Sequence, residues 1–132
     1  MLLALHTKFF VQQIHLISPI PEIDLVVVKI TEDKFFWITI INLYIPPTCL
    51  INDYAEIFDY IENTVDFTHP VLILGDFNIP ELNECTLGNR TTGFYNTYNN
   101  FITLNDLKQS NAIVNVNNRL LDLVLSNNQL NT

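Results

Sequence analysis

Val71-Leu-Ile-Leu-Gly-Asp-Phe-Asn78 is an apolar run that ends in a glycine, an acid and an amide, with Pro80 two residues further on. A short apolar run bounded by turn-forming residues reads as a buried strand. Gly75 permits close backbone approach, and Pro80 prevents the strand from continuing. Asp76 then stands where a buried strand enters a loop at the end of a sheet, a common place for sites on layered α/β folds. Its carboxylate suits a hard cation or a water, and Asn78 can point to the same side and donate to a phosphate oxygen. Gly, Asp, Asn and Pro also favour a plain turn. Local chemistry leaves turn and site both open.

Working outward, Asp24-Leu-Val-Val-Val-Lys-Ile30 and Lys34-Phe-Phe-Trp-Ile-Thr-Ile-Ile-Asn-Leu-Tyr-Ile45 flank a charged turn at 32–34. They read as adjacent antiparallel strands, the second apolar enough to be covered on both faces. From Asn52 or Asp53, either of which is a good N-cap, Tyr54, Ile57, Phe58, Ile61 and Val65 recur at helical spacing. Asp53, Glu56, Asp59, Glu62 and Asp66 fill the opposite face, which reads as a solvated one. Residues 81–93 read as a surface loop and Tyr95–Leu107 as a second helix. Ala112–Val116 and Leu120–Leu125 read as strands joined by a turn at Asn117-Asn118. The order β-β-α-β-loop-α-β-β predicts an α/β (α+β) layered fold with mixed sheets and helices on their outer faces, in a single domain over 1–132.

At 132 residues, 48% hydrophobic and 15% charged, the sequence is built to pack a core. No apolar run reaches the roughly 18–20 residues that cross a bilayer, so no membrane span is expected. Met1-Leu-Leu-Ala-Leu-His6 lacks the basic flank and cleavage site of a secretory signal, which predicts an intracellular chain. Cys49 and Cys85 form no CxxC pair and read as free thiols in preference to a disulfide or zinc site. His6, His15 and His69 form no ligand set. The net charge of −8 argues against a protein that coats DNA with a basic face. It still fits a nuclease whose carboxylates bind the cation that meets the phosphate.

Val71–Pro80 resembles the Gly-Asp-Phe-Asn motif of the endonuclease/exonuclease/phosphatase superfamily. Two further segments match in the family's order. Asn42-Leu-Tyr-Ile-Pro-Pro47 resembles its Asn-x-Tyr-x-Pro strand end, and Asn118-Arg-Leu-Leu-Asp-Leu-Val-Leu-Ser126 its later Asp-bearing strand. The Tyr-Ile-Pro-Pro end, the helix after it, and Asp106–Asn111 before Leu-Leu-Asp-Leu-Val-Leu-Ser-Asn127 resemble the endonuclease domains of non-LTR retrotransposons. The resemblance covers about residues 24–127 and implies part of a four-layer α/β sandwich of the DNase I-like type.

The resemblance also implies roles. Asp76 would position the attacking water and touch a Mg²⁺ or Mn²⁺ ion, and Asn78 would hold the phosphate and stabilise the charge that develops on it. Asn42 and Tyr44 would contact the same phosphate, and Asp122 would orient a catalytic histidine. Without the resemblance, Tyr44 reads equally as a core aromatic; for Asp122 an edge-strand acid facing water is the weaker alternative, because Leu120-Leu121 and Leu123-Val124-Leu125 surround a charge that is costly to bury unpaired. DNA is the implied partner, with a reverse-transcriptase domain in the parent protein and a nuclear location when functional. The family's metal-binding Glu and terminal Ser-Asp-His find no counterpart, Glu22 beside prolines being no match. The sequence therefore reads as a domain lacking both ends, with little or no nuclease activity, prone to aggregate through exposed edges. The competing readings are a non-catalytic remnant or interaction module, and a phosphatase or lipid phosphodiesterase of the same fold.

Overall fold

The apolar runs assemble into one six-stranded sheet. A computed structural model of the chain describes residues 9–32, 37–79, 93–114 and 122–127. Its elements run β1 (Phe10–Ile14), β2 (Asp24–Thr31), β3 (Trp37–Tyr44), α1 (Ile51–Thr64), β4 (Val71–Asp76), α2 (Gly93–Leu104), β5 (Lys108–Gln109) and β6 (Asp122–Ser126). The spatial order is β1-β2-β3-β4-β6-β5. Only β3 and β4 pair in parallel, bridged by α1, and every other pair is antiparallel.

Period-two alternation divides the sheet residues between its faces. Val27, Ile41, Leu43, Ile73, Leu123 and Leu125 share one cluster with α1 and α2. Val28, Ile30 and Ile40 form a second cluster with Ile38, Leu72 and Leu74 packed against it. Central strands buried on both faces explain why β3 is apolar along nearly its whole length. The described residues contain this one mixed sheet, with both helices packed into the first cluster.

α1 buries Tyr54, Ile57, Phe58 and Ile61, each such side chain worth about 1.5–3 kcal/mol of transfer free energy. The helix begins earlier than Asn52 or Asp53 would have it: Leu50 is the N-cap, and its N–H donates to the Asp53 carboxylate at 2.8 Å. Asp53 therefore serves the cap from the third helical position, by the reciprocal arm of a capping box. α2 docks on α1 through Phe58 and Phe101, whose rings stack with centroids 4.5 Å apart. Asn105 Nδ2 also donates to Glu62 at 2.8 Å.

Other expectations change too. β1 is an additional strand, held to β2 by pairing from Phe10↔Thr31 to Ile14↔Val27. The second helix spans Gly93–Leu104 instead of Tyr95–Leu107. Residues 112–114 are not a strand; Lys108–Gln109 pairs with β6 in their place. There the side chains compete for the backbone: Gln109 Oε1 accepts from Asn111 N and Val124 N, and Asn111 Oδ1 accepts from Ile113 N. β6 begins at Asp122 and runs to Ser126. Lys34–Phe36, residues 81–92, Cys85, Val116, the Asn117-Asn118 turn and Leu120-Leu121 lie outside the described residues. Cys49 is buried and free. Among the described residues, no helix is long and apolar enough to cross a membrane.

Candidate active site

Register builds a row of functional groups at one end of the sheet. Asp24 pairs with Tyr44, Tyr44 with Asp76, and Asp76 with Asp122. The row crosses β2, β3, β4 and β6, and its members share the parity of the Val28/Ile40/Leu72 face. On the antiparallel pairs of the row, Asp24–Tyr44 and Asp76–Asp122, opposed side chains stand about 4.5–5.5 Å apart at Cβ. Tyr44 is 42% exposed, Asp24 and Asp122 are exposed and Asp76 is half-buried, so the row forms an open rim. Asn42 lies one row deeper, between Val26 and Leu74. Tyr44, Asp76 and Asp122, singled out separately in the sequence, are thus brought side by side. Asp24 joins them unforeseen, because only register reveals it.

The order of this row depends on Gly75. Its φ is +152°, and a Cβ there would stand 1.8 Å from the Leu43 carbonyl oxygen. Any side chain at 75 would drive β4 from β3 just where Tyr44 meets Asp76. Ile45 N–H donates to the Asp76 carbonyl at 2.9 Å and extends the pairing one step beyond the strands.

After Asp76 the chain turns instead of continuing. Asn78 adopts φ +49°, a left-handed conformation that Asn tolerates better than most residues. Its N–H donates to Asp76 Oδ1 at 3.1 Å, an Asx turn, and its Nδ2 donates to the Ile45 carbonyl at 2.7 Å. The turn and site readings of this motif therefore coincide: the turn holds the site. Alternation did not orient Asn78, since the left-handed residue lies past the strand. Nδ2 keeps one N–H, and the carboxamide oxygen is an additional acceptor. From the helical side, buried Tyr54 donates its hydroxyl to the Phe77 carbonyl at 2.7 Å and lies 3.0 Å from the Asn78 carbonyl. The sequence placed Tyr54 on the buried helix face but gave no sign of this contact.

Burial pushes the Asp76 carboxyl above the ordinary carboxylate value; the Asn78 N–H pulls the other way, and the Asp122 charge adds to the rise. Two neighbouring carboxylates, one of them desolvated, form a donor set whose repulsion a divalent cation relieves. Among the described residues, no group of three or more His, Cys, Asp or Glu side chains is placed to hold a metal. The fit is that of a cation held by one or two carboxylates, with water and substrate oxygens completing its shell. A cavity of about 160 Å³ lined by Ile14, Val27, Lys29, Trp37 and Thr39 lies towards the other end of β3, remote from this row.

Residues 38–132 match the sequence model of the endonuclease-reverse transcriptase family. The chain belongs to this family. No curated protein matches it. Solved structures agree on the fold. The endonuclease domain of TRAS1, a telomere-specific non-LTR retrotransposon, is similar with a TM-score of 0.58 and 14% identity, over 93% of this chain and 68% of that one. The human Nocturnin catalytic domain gives 0.56 and 12%, over 94% and 50%. An endonuclease/exonuclease/phosphatase from Beutenbergia cavernae gives 0.54 and 14%, over 79% and 32%. This member of the endonuclease-reverse transcriptase family thus has the α+β architecture of DNase I-like proteins, as the sequence motifs implied, and spans half or less of the last two structures.

Proposed function

We propose that the chain carries the phosphate-handling part of a metal-dependent DNA endonuclease domain of the retrotransposon type, over 1–132. The observation that carries this reading is the cross-strand row Tyr44–Asp76–Asp122, with Asn78 anchored beside it. Asp76, the half-buried carboxylate, is the group best placed to orient a water and to share a cation with Asp122. Asn78 offers an N–H to the phosphate, and the exposed Tyr44 hydroxyl stands one strand away. Asn42 supports the strand end from one row deeper. Mg²⁺ or Mn²⁺, when bound at Asp76, would supply the charge that lets an anionic phosphate approach these acids. Asp122 would also be available to orient a histidine.

An open rim suits a duplex backbone better than the enclosed pocket expected for a small phosphomonoester, and this favours DNA over the phosphatase reading. Work on chromosomal DNA would put the active protein in the nucleus, and a reverse transcriptase in the parent protein would use the exposed 3′ end. The family's metal-binding Glu and terminal Ser-Asp-His find no counterpart in this sequence, so the isolated chain is expected to turn over little.

The test is nicking of supercoiled plasmid in Mg²⁺ or Mn²⁺. The isolated chain should stay near background. A longer product of the same reading frame, bearing an upstream Glu strand and a downstream Ser-Asp-His, should nick and lose activity with Asp76→Ala. Failure of that longer protein to nick would refute the nuclease reading. Robust nicking by the isolated chain, abolished by Asp76→Ala, would instead refute its inactivity.

A further inference from the structure

Tyr54 is 1% exposed, on the sheet-facing side of α1, edge-on to Phe94 with ring centroids 5.3 Å apart. Packing alone does not call for its hydroxyl, since phenylalanine fills the same space. The hydroxyl nevertheless reaches across 23 residues to the Phe77 carbonyl and also meets the carbonyl of Asn78. These two carbonyls bracket the point at which the backbone enters its left-handed turn at φ +49°. The other two anchors of Asn78, to Asp76 Oδ1 and the Ile45 carbonyl, both come from the sheet side. Tyr54 holds the turn by hydrogen bonding from the helix side, where Phe58 also packs against Phe77 with ring centroids 6.0 Å apart. A residue in an uncommon backbone region keeps its place only where its surroundings over-determine it.

We infer that Tyr54 is a positioning residue, whose hydroxyl ties the Phe77–Asn78 turn to α1 and so fixes the Asn78 carboxamide against the Asp76 row. The inference deepens the nuclease reading and rests on it for its catalytic meaning; the placement of Asn78 is testable without it. Because the contact runs from helix to loop, it links the packing of α1 and α2 to the geometry of the site.

The experiment compares Tyr54→Phe, which removes only the hydroxyl, with Ile57→Val, which removes one carbon from a fully buried position on the same helix. The readout is the ¹⁵N-labelled chain by NMR: the Asn78 side-chain amide resonances and the couplings that report φ at Asn78. Tyr54→Phe should shift both, with Ile57→Val leaving them in place. Unchanged Asn78 signals in Tyr54→Phe, or equal changes in Ile57→Val, would overturn the inference. Where plasmid nicking is measurable, Tyr54→Phe should lower kcat on the order of tenfold at unchanged KM, as expected for loss of an interaction worth about 1.4 kcal/mol in the transition state. An equal kcat loss in Ile57→Val would also overturn it. Absence of nicking in every protein tested would count against the nuclease reading alone, the Asn78 signals still deciding the role of Tyr54.

Discussion

Replacing Gly75 by alanine should cost a large share of the stability of the fold, and the structure allows the cost to be worked out. The added Cβ would stand 1.8 Å from the Leu43 carbonyl oxygen and 2.7 Å from its carbon, both backbone atoms of the neighbouring strand. Relief to a bare contact of roughly 3.0 Å requires β3 and β4 to part by about 1.2 Å. Ladder bonds near 2.9 Å would then exceed the length at which they bind, and two or three such bonds are worth about 1 kcal/mol each. The positive φ of +152° adds strain of about 1–3 kcal/mol for a residue with a side chain. The sum, about 3–6 kcal/mol, rivals the 5–15 kcal/mol by which ordinary domains are stable. Urea unfolding followed by the fluorescence of Trp37, the single tryptophan and itself part of β3, measures it directly. Gly93→Ala is the control: the three atoms nearest its Cβ would all belong to the Ile51 side chain, the nearest being the movable Cδ1 at 2.7 Å, and stability should change by less than about 1 kcal/mol. A Gly75→Ala protein within about 1 kcal/mol of the parent, with an unaltered urea dependence, would refute the close-approach argument.

Two other predictions concern the candidate site and its supports. Burial holds the Asp76 carboxyl above its ordinary 3.8, so the folded state binds the proton more tightly; ionisation therefore costs stability as pH rises above about 4, and the cost levels off beyond the folded value. Asp76→Asn keeps the acceptor for the Asn78 N–H without the charge, and should raise the melting temperature at pH 7 but not at pH 3; the same gain at both pH values would contradict this sign. Asn127, 2% exposed, accepts from Val71 N at 3.1 Å and donates to the Phe67 and His69 carbonyls at 3.2 and 2.8 Å. Asn127→Ala should cost about 3 kcal/mol by stranding these backbone groups, and thermal unfolding showing less than about 1 kcal/mol would show that water replaces the amide.

Much of the central architecture was legible because its elements bury a continuous face. β2, β3, β4 and α1 follow the apolar runs and the helical period closely, as local pattern and final environment agree there. β1 was missed because Phe10-Val-Gln-Gln-Ile14 is short and largely exposed, with no alternation to betray it; its strand conformation comes from pairing with β2. β5 has only two residues and exists through β6. The strand expected at 112–116 failed over its described part because Gln109 and Asn111 gave the backbone local side-chain partners, which a hydrophobic pattern does not register.

The sequence by itself determined that Val71–Leu74 is a buried strand leading into Asp76 and Asn78, that Tyr44 and Asp122 lie on other strands, and which family shares these motifs. These are properties of short segments, set by the period of the side chains and by where glycine and proline stand. Only the tertiary structure decided that Asp24, Tyr44, Asp76 and Asp122 form one row, that Asn78 turns left-handed on an Asx turn, and that Tyr54 holds the turn from α1. Such facts depend on strand register and on contacts across dozens of residues. A register slip of one residue would leave every local pattern intact and turn each side chain to the opposite face.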